Sequence, residues 1–181
     1  MTAGTAGIRS ESTIDTAIDT AQLRSAMGRF ATGIAVVTAA SPEPIGMTVN
    51  SLCSVSLEPP MLLFCVGHRS QLHRRFRDAG SFAVHVLSTA QLGVCRQFAR
   101  PGLDRFGDLP WQPGRTGSPL LTDALAVFEC ETAQVITAGD HDIVLGRVTH
   151  LHPVRSSEPL LFFAGGFREL IDEIGQSLDV W

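Results

Sequence analysis

The residues best equipped for chemistry run from Gly46 to Pro60, Gly-Met-Thr-Val-Asn-Ser-Leu-Cys-Ser-Val-Ser-Leu-Glu-Pro-Pro. Extended chain sends successive side chains to opposite sides. Thr48, Asn50, Ser54 and Ser56 then share one face, and Met47, Val49, Cys53, Val55 and Leu57 the other. Short hydrogen-bonding groups backed by an apolar face form a wall for a flat ligand with a polar rim. The same alternation also describes a half-buried antiparallel strand whose outer face meets water.

Two further constellations carry chemistry. His68-Arg69-Ser70 precedes a helical pattern, and Ser70 can cap that helix. A helix N-terminus, a hydroxyl and a guanidinium together attract a phosphate, although an ordinary cap beside a solvated arginine has the same sequence. Gly139-Asp140-His141 is turn chemistry that places an imidazole between two strands, either as an exposed turn residue or as a ligand contact. His150-x-His152 has no third ligand at a telling distance, so no metal is expected.

The elements that position these groups follow from periodicity. Residues 1–16 read as a mobile N-terminal tail and 17–181 as one domain. A helix after Thr20 places Leu23, Met27 and Phe30 on one face. The β-branched run Ile34 to Ala40 reads as a buried strand, and Met61 to Val66 as another. A helix from Ser70 to about Asp78 leads to a strand Ser81 to Leu87. Ser88-Thr-Ala-Gln91 is a capping box for a helix ending near Arg100. The Gly- and Pro-rich stretch from Pro101 to Ser118 reads as a long functional or flexible loop. Strands over Ala124–Ala138, His141–Val154 and Pro159–Ala164 follow. About seven strands and three helices without regular alternation exclude a doubly wound sheet. A closed, mainly antiparallel barrel with peripheral helices fits, a mainly β (α+β) fold.

Composition narrows the function classes. The formal charge of -4 speaks against a nucleic-acid binder, and no apolar run is long enough to span a bilayer. With no basic start or apolar block near Met1, the chain is expected in the cytoplasm. Cys53, Cys65, Cys95 and Cys130 are widely spaced and read as buried, reduced thiols. There is no tyrosine, and all 14 basic residues are arginines. Schiff-base and Walker-A lysines are therefore excluded, and anions must be held by guanidinium, hydroxyl and backbone groups. Neither a Gly-x-Ser-x-Gly elbow nor a Gly-x-Gly-x-x-Gly turn occurs, which sets aside α/β-hydrolase and Rossmann chemistry.

Five segments in order carry a resemblance. They are Gly28-Arg-Phe-Ala-Thr-Gly-Ile-Ala-Val-Val-Thr38, Gly46 through Pro60, Ser81-Phe-Ala-Val-His-Val-Leu87, Gly139-Asp-His141 and Pro159-Leu-Leu-Phe-Phe163. Together they resemble the short-chain NAD(P)H:flavin oxidoreductases, the reductase components of two-component flavin-dependent monooxygenases. The resemblance implies a split β-barrel of the FMN-binding type, assembled as a homodimer. It implies FAD or FMN as flavin, NADH (or NADPH) as hydride donor, and a separate monooxygenase that receives reduced flavin. Carried over by position, Thr48, Asn50, Ser51 and Ser54 are flavin-ring and ribityl contacts, Arg69 and Ser70 phosphate contacts, and Phe98 and Arg100 further flavin contacts. His141 meets the nicotinamide. Ser51 breaks the alternation, so the strand must bend there. Phe162, Phe163 and Phe167 stand where relatives often carry tyrosine or histidine, which keeps stacking but removes a phenolic hydrogen bond. A flavin-binding electron carrier without NAD(P)H activity is the alternative, and would have no need of His141.

Overall fold

The computed structural model describes residues 18–40, 42–102 and 105–170. The expected N-terminal tail, 1–16, lies outside the described residues, as does 171–181 at the end of the expected domain. The main sheet has seven antiparallel strands: β2 (Ala35–Ala40), β3 (Pro44–Val49), β4 (Cys53–Leu57), β5 (Pro60–Gly67), β6 (Ser81–Val86), β9 (Ala126–Ala138) and β10 (His141–Leu151). Their order is β3-β2-β6-β9-β10-β5-β4. Strands β3 and β4 are thus the two edges, yet only residues 50–52 separate them in sequence. The sheet has to curl until its edges meet at that link. No ladder joins them there, so the expected closed barrel is a barrel split along one seam.

The predicted long strand from Gly46 to Pro60 is therefore two strands on opposite edges, broken at Asn50–Leu52. Ser51 shows why the break holds: its Oγ accepts the backbone N–H of Cys65 at 3.0 Å, tying the link to β5. Cys53, expected in the core, is exposed on edge strand β4, whereas Cys95 and Cys130 are buried and Cys65 half-buried.

Strand β2 explains its own β-branched composition. Ala35, Val37 and Ala39 face one core cluster with Ile45, Phe64, Phe76, Phe82 and Val144, inside the curl. Val36, with Ile34 just before the strand, faces a second cluster with Leu87, Cys95, Phe98, Phe106 and Leu160. Both faces are covered, so no polar alternation is needed. Each large side chain buried this way contributes about 1.5–3 kcal/mol.

Helices sit outside the curl. Helix α1 (Thr20–Met27) is capped by Asp19, whose carboxylate accepts the N–H of Ala21 at 3.0 Å. Its expected apolar face does not pack among the described residues: Leu23, Met27 and Phe30 are exposed. Helix α2 (His73–Arg77) starts later than expected. Ser70 does not cap it; the hydroxyl accepts the N–H of Leu72 at 3.2 Å, closing a turn one step earlier. Helix α3 (Leu92–Ala99) follows a single 3-10 turn, Thr89–Gln91, and the predicted capping box of Ser88 and Gln91 is present.

The stretch 101–118 is not structureless. Trp111–Pro113 (β7) pairs with Pro119–Leu121 (β8) as a short ribbon, and Phe106 is buried edge-on between Phe98 and Trp111. A small sheet, β1 (Thr32–Gly33), β11 (Leu161–Phe163) and β12 (Gly166–Arg168), completes the described strands. No described helix is long and apolar enough to cross a membrane.

Candidate active site

A cavity of about 400 Å³ opens where β3, α3 and the β11–β12 ribbon converge. This lies within the volume range of small-molecule sites. Met47, Thr48, Val49 and Asn50 form one wall, and Cys95, Phe98 and Ala99 of α3 another. Phe162 and Phe167 close the third side, their rings edge-to-face at 5.9 Å, with Ser70 and Arg105 completing the lining. Among the expected site residues, Thr48, Asn50, Ser70 and Phe98 are thus brought together.

Local packing fixes the wall. The Thr48 hydroxyl donates to the Cys95 carbonyl at 2.7 Å, so β3 and α3 are joined and the oxygen lone pairs remain as acceptors. A Cβ at Gly46 would overlap the ring of Phe98, so only glycine lets this phenylalanine lie flat against β3. Asn50 is exposed at the first position of the seam link and has no intrachain hydrogen bond tying down its amide among the described residues.

The remaining expected residues lie elsewhere. Ser51 supports the link from behind. Ser54 lines a separate apolar groove of about 470 Å³ with Leu52, Leu57, Met61, Phe128 and Leu151. Arg69 and Arg100 are exposed and outside the cavity wall, Arg100 being the residue that ends α3. His141 opens β10 opposite Gly67, with its side chain half exposed, and its Nδ1 is 2.8 Å from the Asp140 carboxylate. That hydrogen bond holds the Asp140 carboxyl below its usual value. Gly139 turns the chain there with φ of +62°, a conformation that costs glycine nothing.

Behind this turn lies a group that periodicity did not reveal. Asp142 is fully buried, and His68 Nε2 and His73 Nε2 donate to its two oxygens at 2.9 and 2.7 Å. Thr137 adds a third donor at 2.9 Å. Hydrogen bonding to His68, then His73, pulls the Asp142 carboxyl far below the ordinary carboxylate range. These are the only three metal-ligand-type side chains that converge among the described residues. Each imidazole bonds a different oxygen, which is the geometry of a hydrogen-bonded brace for the 139–141 turn. The backbone agrees, since His68 N–H donates to the Asp140 carbonyl at 2.9 Å.

Arg105 was also missed, because a lone arginine in a Gly- and Pro-rich stretch carries no period. Its Nη1 donates to Phe98 O at 2.8 Å and Gly46 O at 3.2 Å, and its Nε to Gly102 O at 3.0 Å. It therefore satisfies a last-turn carbonyl of α3 and an outer carbonyl of edge strand β3 at once.

Comparison with known proteins decides the family. The model of the flavin reductase like domain matches residues 27–170, nearly all of the described chain. The chain belongs to the flavin reductase family. This flavin reductase is 50% identical over 133 residues to a probable flavin reductase of Rhizobium meliloti, covering 72% of this chain but 43% of that protein. It thus spans less than half of that relative. It is 46% identical over 145 residues to the FMN reductase (NADH) SmoA of Agrobacterium fabrum, covering 80% and 82% of the two chains. To HsaB of Rhodococcus jostii, the reductase subunit of a flavin-dependent monooxygenase, it is 36% identical over 152 residues, 83% and 78% of the two. The solved NADH:FAD oxidoreductase SgcE6 of Streptomyces globisporus, in complex with NAD and FAD fragments, superimposes with a TM-score of 0.82 at 40% identity, covering 87% and 96%.

Proposed function

We propose that this flavin reductase transfers hydride from NADH to FAD or FMN and releases the reduced flavin to a separate flavin-dependent monooxygenase. The cavity carries the reading. A flat heteroaromatic ring with polar edges fits an apolar floor of Val49, Phe98 and Phe162 rimmed by Thr48, Asn50, Ser70 and Arg105. The flavin, when bound, supplies the redox chemistry as a two-electron acceptor.

The chain's own part is alignment and exclusion of water. Thr48 and Asn50 offer an acceptor and an amide to the ring's polar edge. Ser70, on a turn pinned at Leu72, offers a hydroxyl to the ribityl-phosphate arm, and exposed Arg69 beside it offers charge. Phe162 and Phe167, with Arg96 over the latter ring at 5.8 Å, form an aromatic side against which a nicotinamide can stack. His141, braced by the Asp142 group, orients the nicotinamide amide. No general acid or base is needed for hydride transfer, which suits a cavity wall without carboxylate or lysine.

A homodimer completes the reading. The groove lined by Leu57, Met61, Phe128 and Leu151 is apolar, and Leu57 and Leu151 are 69% and 61% exposed. A second copy seated there would bury them and place Ser54 against the partner. The free thiols suit a reducing cytoplasm. The partner monooxygenase is argued from HsaB, whose activity is that of a reductase subunit.

The test is to mix purified protein with NADH and catalytic FAD or FMN and follow NADH absorbance in air. Sustained oxidation supports the reductase and ranks the flavins. Flavin binding with no oxidation of NADH or NADPH would overturn it in favour of an electron carrier.

A further inference from the structure

We propose that Arg105 is a flavin-binding residue that holds the negative charge the ring acquires on reduction. This rests on the flavin reductase reading above and assigns within it a role to a residue outside every motif of the sequence.

Among the described residues of the cavity wall, Arg105 is the only ionisable side chain other than the Cys95 thiol, and the only one bearing charge. The cation has no carboxylate partner among the described residues. Its hydrogen bonds through Nε and Nη1 go to three neutral carbonyls, Gly102, Gly46 and Phe98. Nη2 makes no hydrogen bond among them. Burial also works against the charged form. Bracing carbonyls needs donors but not a positive charge, and a neutral amide could supply two of the three used here. A partly desolvated cation held by two of its nitrogens, with the third unused beside an otherwise uncharged cavity, is arranged for an anion.

Hydride transfer produces that anion inside the site. The C4–H bond of the dihydronicotinamide breaks and its electron pair, with the hydrogen, forms a bond to N5 of the oxidised ring. The nicotinamide is oxidised to a cation. The flavin ring gains the electron pair as an anion, with charge on N1 and the adjacent carbonyl oxygen, and no external proton is required. The oxidised ring offers Arg105 only a neutral acceptor, whereas the reduced ring offers an ionised one. The guanidinium's bond to the neutral ring is already charge-assisted, and the ionised acceptor adds Coulomb attraction between opposite charges in a partly desolvated site. Arg105 therefore discriminates between redox states rather than adding uniform affinity, and favours the ring at the moment charge appears.

The experiment compares wild type, Arg105→Met, Arg105→Gln and Arg105→Lys. Binding of oxidised FMN is titrated by fluorescence, and binding of dithionite-reduced FMN is titrated anaerobically by absorbance. The expected result is about a tenfold or greater loss of affinity for reduced FMN in the Met variant, against less than about threefold for oxidised FMN. Lys should restore part of the difference. Gln keeps two N–H donors for the carbonyls, so with its folding checked by thermal melt it must show the same selective loss. The bound reduced flavin should also keep its N1 proton to higher pH in Met and Gln than in wild type. Equal loss for both redox forms, or no loss for either, in variants of a wild type that turns over NADH would overturn the Arg105 assignment alone. A wild type that neither binds flavin nor oxidises NADH would overturn the parent reading and this one with it.

Discussion

Asn50 and His141 are proposed for different parts of the reaction, and their substitutions should fail in different ways. Asn50 lines the cavity with its amide unspent, so Asn50→Ala removes about one hydrogen bond, or roughly 1–1.5 kcal/mol. Flavin affinity should fall about tenfold, read by fluorescence titration, while the fold is unchanged; undiminished affinity would remove Asn50 from the site. His141→Ala should instead leave flavin affinity within a factor of about two and slow reduction by NADH about tenfold or more, by loss of alignment. Stopped-flow reduction of enzyme-bound flavin separates the two, and unchanged kinetics would return His141 to an ordinary turn. Thr48 and Asn50 were singled out by their alternation at period two, Ser70 by its place ahead of a helix and Phe98 by the family resemblance, and all four line the cavity. Asp142 and Arg105 were not singled out. Each is tied in part to a partner distant in sequence, Asp142 to His68 at a separation of 74 residues and Arg105 to Gly46 at 59, and no local pattern records such a distance.

At the scale of elements, His85 shows how strands are locked. It lies in the middle of β6, fully buried, with its Nδ1–H donating to Val36 O of β2 at 3.1 Å and its Nε2 accepting Leu121 N–H of β8 at 3.1 Å. One neutral tautomer thus joins three strands. Burial, despite the Val36 bond, lowers its pKa from 6.5 to about 4. Between these values the unfolded chain binds a proton that the folded chain does not, so stability rises with pH across this window. Acidification from pH 6.5 to 4 should therefore cost about 3 kcal/mol from this residue. Urea unfolding at a series of pH values should show that slope in wild type and not in His85→Gln; a slope that survives the substitution would assign it elsewhere. Strand β6 itself was legible, and so were β2, β5, β9 and β10, since β-branched and aromatic runs of this length leave few alternatives. Strands β7, β8 and β12 were missed because three-residue pairings are set by the partner strand, not by composition. The Ser70 cap failed for a related reason: the hydroxyl was identified correctly, but a turn took it before the helix began.

For the whole molecule, the apolar groove and the apolar face of α1 are exposed among the described residues. Leu57→Glu with Leu151→Glu places charge on the groove, and the expected outcome is a monomer by light scattering where wild type is a dimer, with weaker flavin binding if Ser54 completes the site from across the interface. A wild type that is already monomeric would end that argument. The barrel was legible as a class, and Ser51, which departs from the alternation, marked the bend, but only the register with β5 shows the chain changing edges there. That seam has a consequence for motion. Strand β10 is paired on both sides from His141 to Arg147 and β9 from Phe128 to Glu131, whereas β3 is held on one side by β2 and on the other by the Thr48 bond to an α3 carbonyl and by Arg105. Opening should therefore begin at β3, at a free energy below that of global unfolding. A ligand that bridges β3, Ser70 and α3 closes the barrel where the backbone does not. Bound flavin would then act as the missing fastener, slowing amide hydrogen exchange at Met47 to Val49 while leaving the amides of β9 and β10 as they were.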